Sequence, residues 1–292
     1  MEHSIAMICI YALLALSFMI VLRVGEVSFG QQAFFAFGAY SSAIATAMFE
    51  VSLPIAFAIA IIIGFFVAWM VSYLVLRLYG VNFSLFMLVF AEITRDLFSQ
   101  WTWQLNGSNG LVGPEGSMGF ARIDFFARAG LSGEWQLFIL CSITVSIFIF
   151  VNWLLQNEWG LRVVATSVDR ELAELRGINT KYVRRTAFIL AGGCASISGA
   201  LFAHYVTFIY PSNFGLMTGV HALAYTLIGG TGHVLGSLAG TVFDVWLLEW
   251  LRFAGPYRMV IFGSVIVIAL IIAPSGIVSN RAVRRDIKLW GS

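Results

Sequence analysis

The sequence predicts an all-α polytopic membrane protein with about eight or nine transmembrane or re-entrant helices and a short helix in one cytoplasmic loop. Of its 292 residues, 60% are apolar and only 11% are charged, whereas a soluble domain of this size carries about 25% charged residues. The charges fall in short clusters between long uncharged runs, which is typical of a polytopic membrane protein in contact with lipid. A net charge of +2 gives no reason to expect a nucleic-acid partner.

Nine apolar segments approach the length of about 20 residues that a helix needs to cross a bilayer. They lie at 4–22, 33–49, 53–76, 83–101, 136–155, 187–208, 216–230, 233–251 and 257–273. Glycines between the seventh and eighth segments disfavour one continuous helix, so this pair either crosses twice or dips in and returns. No linker divides the chain, which predicts a single transmembrane domain over residues 1–292.

The distribution of arginine and lysine predicts the orientation of the chain, because basic loops stay on the cytoplasmic side. Placing Arg23, Arg77, the 158–185 loop and the C-terminal tail inside puts twelve of the seventeen basic residues there. This orientation places the N-terminus outside and the C-terminus in the cytoplasm. It also makes residues 103–135 the main external loop.

The sequence lacks the motifs of an ATPase or of a metalloenzyme. A P-loop requires Gly-Lys-Ser/Thr, and neither of the two lysines, Lys181 and Lys288, follows a glycine. The histidines are scattered, and the three cysteines stand alone in apolar runs, as packing residues do. We therefore expect no catalytic residue, metal or cofactor in this chain.

The 158–185 loop contains a predicted amphipathic helix. Ser167 or Asp169 is suited to cap its N-terminus, and Gly177 is suited to end it. Leu172 and Leu175 lie three residues apart and so share one face. This helix either lies on the bilayer surface or docks in a groove of a cytoplasmic partner. The acidic residues around the two leucines favour the protein partner.

Five motifs, in this order along almost the whole chain, resemble the permease subunits of branched-chain amino acid ABC transporters, the LivM-type subunits. They are Gly25-Glu-Val-Ser-Phe-Gly-Gln-Gln-Ala-Phe-Phe-Ala-Phe-Gly-Ala-Tyr40, Leu76-Arg-Leu-Tyr-Gly-Val-Asn-Phe83 with Phe90-Ala-Glu-Ile93, Gly107-Ser-Asn-Gly-Leu111, the 158–185 loop followed by 191–199, and Gly229-Gly-Thr-Gly232.

The resemblance implies a single transmembrane permease domain in the bacterial cytoplasmic (inner) membrane. It implies a second homologous permease as heterodimer partner, two cytoplasmic ATPase subunits that bind the ATP, and an extracytoplasmic solute-binding protein. It also implies that one segment of the loop sits in a cleft of an ATPase subunit. The implied coupling residues are Asp169, Arg170, Glu171, Leu172, Ala173, Glu174, Leu175, Arg176, Gly177 and Ile178.

Several polar residues are candidates for a solute pathway. Gln31 and Gln32 precede an apolar run and offer hydrogen bonds without a charge, although they also suit an ordinary helix start. Asn106 and Asn109 belong to a turn-forming cluster, which either contacts the binding protein or is simply a loop.

Glu92 is the remaining pathway candidate, since it falls near the middle of its predicted span. Arg95 and Asp96 follow three and four residues later, so the three charges share a face and can neutralise one another. The alternative to a pathway is a salt-bridge cluster that holds helices together.

The leading hypothesis is therefore a permease subunit of an ATP-driven importer for a small polar solute, with a branched-chain or other hydrophobic amino acid favoured. The alternative is a self-sufficient secondary transporter, in which Glu92, Arg95 and Asp96 couple the flux to ions or protons. A purely structural membrane subunit is the third class.

Overall fold

The computed structural model describes residues 2–107, 110–121, 123, 133–250, 257–272 and 276, and these residues are almost entirely helical. The helices are α1 Glu2–Arg23, α2 Gln31–Ala47, α3 Leu53–Val75, α4 Val81–Gln100, α5 Gly133–Gln156, α6 Glu158–Val168, α7 Arg170–Leu175, α8 Thr180–Val206, α9 Leu216–Gly229, α10 Val234–Trp250 and α11 Arg258–Ile272. Two short strands, β1 Leu105–Gly107 and β2 Gly110–Val112, form an antiparallel hairpin. The predicted all-α polytopic fold is confirmed.

Within these ranges, four helices are long and apolar enough to cross a bilayer, namely α1, α3, α5 and α8. Helices α2, α4, α9, α10 and α11 coincide with the other five predicted segments, but they are shorter or carry more charge. Helix α8 begins at Thr180, seven residues before the predicted segment, because its first two turns are polar and hydropathy does not detect them.

The two ends of the bundle are defined by contacts between distant parts of the chain. At one end, here called the basic end, the Arg23 guanidinium donates hydrogen bonds to the carbonyl groups of Thr231 and Gly232. At the other, called the hairpin end, Phe120 and Ile209 pair through their backbones.

Helix α9 runs toward the basic end and α10 runs back from it, so the two form an antiparallel pair. The 14 residues of α9 span only about 21 Å. The rest of the passage from the hairpin end is made by the irregular segment before α9, which contains the 3₁₀ turn Pro211–Phe214.

Helix α8 forms the centre of the bundle and packs directly against α1, α2 and α3. Small residues allow these helices to approach closely: a Cβ added at Gly199 would lie 1.9 Å from the Phe35 carbonyl oxygen. Hydroxyl groups join α8 to its neighbours. Ser196 donates to the Ala60 carbonyl at 2.6 Å and Ser198 to the Ile10 carbonyl at 2.7 Å. These bonds satisfy hydroxyl groups that would find no hydrogen-bond partner among lipid chains.

Candidate coupling site and solute pathway

The predicted coupling segment, residues 169–178, forms a short capped helix at the basic end. The Asp169 carboxylate accepts a hydrogen bond from the backbone N–H of Leu172 at 2.9 Å, so it is Asp169 and not Ser167 that caps α7. Gly177 follows the end of this helix, and its positive φ of 82° is the conformation expected of a glycine that terminates a helix.

Helix α7 has one face turned to the protein and one face turned away from it. Ala173 is buried, whereas the side chains of Leu172 and Leu175 are 49% and 85% exposed. Glu171 and Glu174 are exposed beside them. The two leucines therefore form an apolar ridge between carboxylates, and the part of the chain that the structure describes leaves this ridge uncovered.

A buried carboxylate connects the coupling segment to the rest of the basic end. Glu26, only 3% exposed, lies in the loop between α1 and α2. Its Oε1 accepts a hydrogen bond from Arg184 at 2.9 Å and another from Arg170 at 3.1 Å. Arg184 belongs to the first turns of α8 and is itself buried, and Arg170 is the first residue of α7.

The same guanidinium groups also contact the loop between α3 and α4. Arg184 donates to the carbonyl groups of Leu76 and Leu78 at 3.1 and 2.9 Å. Both guanidinium groups also lie over the Tyr79 ring, each 4.2 Å from its centre. Glu26, Tyr79, Arg170 and Arg184 are called the Glu26 cluster below.

The sequence argument did not identify the Glu26 cluster. Glu26 was visible inside the first family motif and Arg184 at the end of the basic loop, but 158 positions separate them. A pair so distant in sequence leaves no periodic signal. An acid in an otherwise uncharged, glycine-containing motif was a hint in the sequence.

The charged face of α4 has the ion pairs that the spacing predicts. Arg95 contacts Glu92 at 3.0 Å and Asp96 at 2.9 Å. All three side chains are partly or well exposed on the side of α4 that faces away from the bundle. Glu92 is eleven residues from the start of α4, which is about 17 Å along the helix axis and roughly half the depth of a bilayer.

Next to this face, α2, α3 and α4 enclose a cavity of about 1030 Å³ toward the hairpin end. Its walls are mainly aromatic and aliphatic, with few polar groups. The aromatic residues are Phe37, Tyr40, Phe49, Phe98, Trp101 and Trp103, and the polar or charged ones are Ser41, Asp96 and Gln100. The neighbouring Ile93 and Leu97 are exposed, so the cavity lies at the subunit surface.

The other predicted pathway residues do not converge on this cavity. Gln31 and Gln32 are fully buried at the start of α2, where Gln32 donates to the Phe29 carbonyl at 2.8 Å. In the described part of the chain, the amide oxygen of each has no hydrogen-bond donor. Asn106 lies in β1, away from both glutamines, and Asn109 lies outside the described residues. A solute role for these four residues stays a prediction.

An apolar helical bundle with an exposed docking segment at one end and charges on a mid-depth helix face is characteristic of the membrane subunit of a transport system. The comparison with known families agrees with this class. A family model described as the permease component of the branched-chain amino acid transport system matches residues 1–270, and the chain belongs to this family of ABC-type permeases. It is thus a multi-pass membrane protein.

Relatives of known role match over a shorter stretch. The autoinducer 2 import system permease protein LsrC of Salmonella typhimurium (strain LT2) is 33% identical over 107 residues, which is 34% of this chain and 30% of the relative. The LsrC protein of Escherichia coli (strain K12) is 31% identical over 109 residues, or 36% and 32%. The chain thus matches about a third of the length of these relatives. No solved structure matches it significantly.

These comparisons confirm the predicted permease family but not its finer details. The narrower resemblance to LivM-type subunits is not supported by the relatives described above, which are permeases for autoinducer 2. The solute therefore does not follow from family membership.

Proposed function

We propose that this chain is a membrane-spanning permease subunit of an ATP-binding cassette importer for a small polar solute. It works with a second permease, two cytoplasmic ATPase subunits and an extracytoplasmic solute-binding protein. In the bacterial inner membrane, the basic end and the C-terminus face the cytoplasm and the N-terminus faces outward. The observation that carries the proposal is the coupling segment 169–178, with its exposed leucine ridge.

The chemistry of the ridge favours a protein groove over a lipid surface. Leu175 is the most exposed of the apolar side chains on α7, at 85%. Glu171 and Glu174 beside it would be repelled by anionic lipid head groups. A groove in an ATPase subunit that buries Leu175 gains about 1.5–3 kcal/mol from this side chain alone.

The charged face of α4 supports the second permease. Ionised side chains at mid-depth are costly against lipid tails, and in membrane proteins they face other helices or a water-filled cavity. Glu92, Arg95 and Asp96 are exposed in the single subunit, so a partner subunit or the solute pathway covers them. We infer that the adjoining cavity is part of this pathway.

For the solute, we propose a branched-chain or other hydrophobic amino acid as the first candidate. The cavity supports this choice because its aromatic and aliphatic walls suit an aliphatic side chain, while Ser41, Asp96 and Gln100 offer polar contacts. The second candidate is autoinducer 2, which the LsrC relatives import. Competition between labelled leucine and autoinducer 2, in cells that carry the complete system, distinguishes the two.

Docking is tested by co-purification of the ATPase subunits with the permease from a membrane that contains the complete system. Leu175→Ala is expected to weaken the complex by about tenfold, since it removes a side chain that the groove buries. Glu171→Arg is expected to weaken it as well. Glu158→Arg is the matched control, because Glu158 is an exposed acid on the same loop outside the coupling segment.

An intact complex with full transport in both Leu175→Ala and Glu171→Arg would contradict the docking assignment. The purified chain in liposomes gives a second test. Gradient-driven flux without any ATPase would support the secondary transporter in place of the proposed importer.

A further inference from the structure

The Glu26 cluster joins the coupling segment to two loops that lead into pathway helices. We propose that Glu26 is a positioning residue that transmits displacement of the coupling segment to α2 and α4. This inference rests on the proposed function and adds to it the route by which ATPase movement reaches the solute pathway.

The first step of the route is the contact of Arg170 with Glu26. Arg170 opens α7, and its guanidinium touches both the Glu26 carboxylate, at 3.1 Å, and the face of Tyr79. Arg170 is 31% exposed, whereas Glu26 is almost completely buried. A displacement of α7 therefore displaces the Glu26 carboxylate, because a group this buried has no access to water that could replace Arg170 as its partner.

The second step is the connection of the carboxylate to the α3–α4 loop. Arg184 holds Oε1 of Glu26 and bonds to two backbone carbonyl groups of the α3–α4 loop. The backbone N–H of Gly80, just before α4, donates to Oε2 of Glu26 at 3.3 Å. Removing one partner of such a buried, hydrogen-bonded pair leaves the other charge uncompensated, so the pair resists breaking.

The third step leads from the loop before α2 into α4. The Ser84 hydroxyl, in the first turn of α4, donates to the Val27 carbonyl at 2.6 Å. Gly30 fits so closely against α4 that an added Cβ would lie 2.5 Å from the Met87 carbonyl oxygen. The loop therefore moves with α4, which carries Glu92 and Asp96 on its outer face.

An alternative route would run along the backbone from α7 directly into α8. The middle of α8 is held at the centre of the bundle by interhelical hydrogen bonds from Ser196 and Ser198, which oppose its movement. The loops at Glu26 and Tyr79 lead directly into α2 and α4. The contacts thus favour transmission across the cluster over transmission along the chain.

The test measures how much solute moves for each ATP hydrolysed by the complete complex in liposomes, with its binding protein present. Glu26→Gln keeps the shape of the side chain but removes its charge. We expect the ATPase subunits to co-purify as with the wild type while solute moved per ATP falls about fivefold or more, the range of typical coupling free energies. Glu158→Gln makes the same chemical change in an exposed pair with Arg162 at the basic end and is expected to change nothing.

Arg170 provides a second test, which does not require the protein to tolerate a substitution at the buried Glu26. Arg170→Gln is expected to lower solute moved per ATP in the same way. Arg170→Lys keeps a cation near Glu26 and is expected to restore most of the loss. If Arg170 acted only in folding, its replacement would lower protein yield and thermal stability. The glutamine and lysine variants would then not differ in solute moved per ATP.

Two results would overturn the inference. One is an unchanged ratio of solute to ATP in Arg170→Gln, or in Glu26→Gln where that variant accumulates. The other is a loss of transport that only matches a loss of bound ATPase, since that indicates docking and not transmission. If the wild-type chain recovers no ATPase at all, the proposed function itself fails, which is a distinguishable outcome.

Discussion

Replacing Gly199 with alanine is expected to force α2 and α8 apart. The added Cβ would lie 1.9 Å from the Phe35 carbonyl oxygen and 2.9 Å from the Ala39 backbone nitrogen. A carbon atom approaches a carbonyl oxygen to about 3.3 Å, so the helices must separate by about 1.4 Å at this point. Both contacted atoms belong to the backbone, so no side-chain rotation relieves the clash.

The expected cost follows from known effects of overpacking. Inserting a methyl group into a well-packed interior costs about 1–3 kcal/mol. For a chain of this size, each kcal/mol lowers Tm by about 2–4 °C, so Gly199→Ala is expected to lower it by about 2–12 °C.

The assay is thermal unfolding of the purified chain in detergent, followed by tryptophan fluorescence. Gly263→Ala in α11 is the control, because in the described part of the structure no atom lies within 4 Å of the added Cβ. A Tm for Gly199→Ala equal to that of the control would refute the close approach of α2 and α8.

Three further predictions concern single contacts. Asp169→Ala removes the cap of α7 and is expected to cost about 1 kcal/mol of helix stability, seen as less co-purified ATPase, whereas Asp169→Asn retains the cap and the complex. Gly219→Ala would place a Cβ 2.4 Å from the Gln32 amide oxygen, so we expect slower solute transport at unchanged protein yield; transport at the wild-type rate would remove this amide from the pathway. The sulfur atoms of Cys9 and Cys141 are 3.7 Å apart, so a mild oxidant is expected to cross-link α1 to α5. The cross-link is detected by gel mobility after the chain is cleaved between the two cysteines, and Cys9→Ser should abolish it.

The sequence predicted the features that local pattern determines. Hydropathy located the apolar helices α1 to α5 and α8 to α11, since apolar length is set by the bilayer, but it did not predict α6, Glu158–Val168. A cap at Ser167 or Asp169 and an end at Gly177 were predictable because they depend on residues within one or two helical turns, and the structure places the cap at Asp169. The ion pair between Glu92 and Arg95 followed from their spacing of three residues.

Features that depend on distant contacts were not predictable. The burial of Gln31 and Gln32 results from the packing of α2 against other helices, which the sequence around them does not encode. The Glu26 cluster depends on four residues brought together from two loops and the starts of α7 and α8. The sequence also left open whether the segment at α9 crosses the membrane or dips in and returns. Hydropathy does not indicate where a chain that has entered the helical bundle becomes helical.

The position of Arg95 and its two carboxylates has a consequence for how the subunit is made. In the proposed importer, a newly inserted copy that has not yet met the second permease exposes these charges to acyl chains, and it therefore differs chemically from an assembled one. For the proposed importer, balanced production of the two permease subunits is therefore expected, because every copy in excess would leave three ionised side chains against acyl chains.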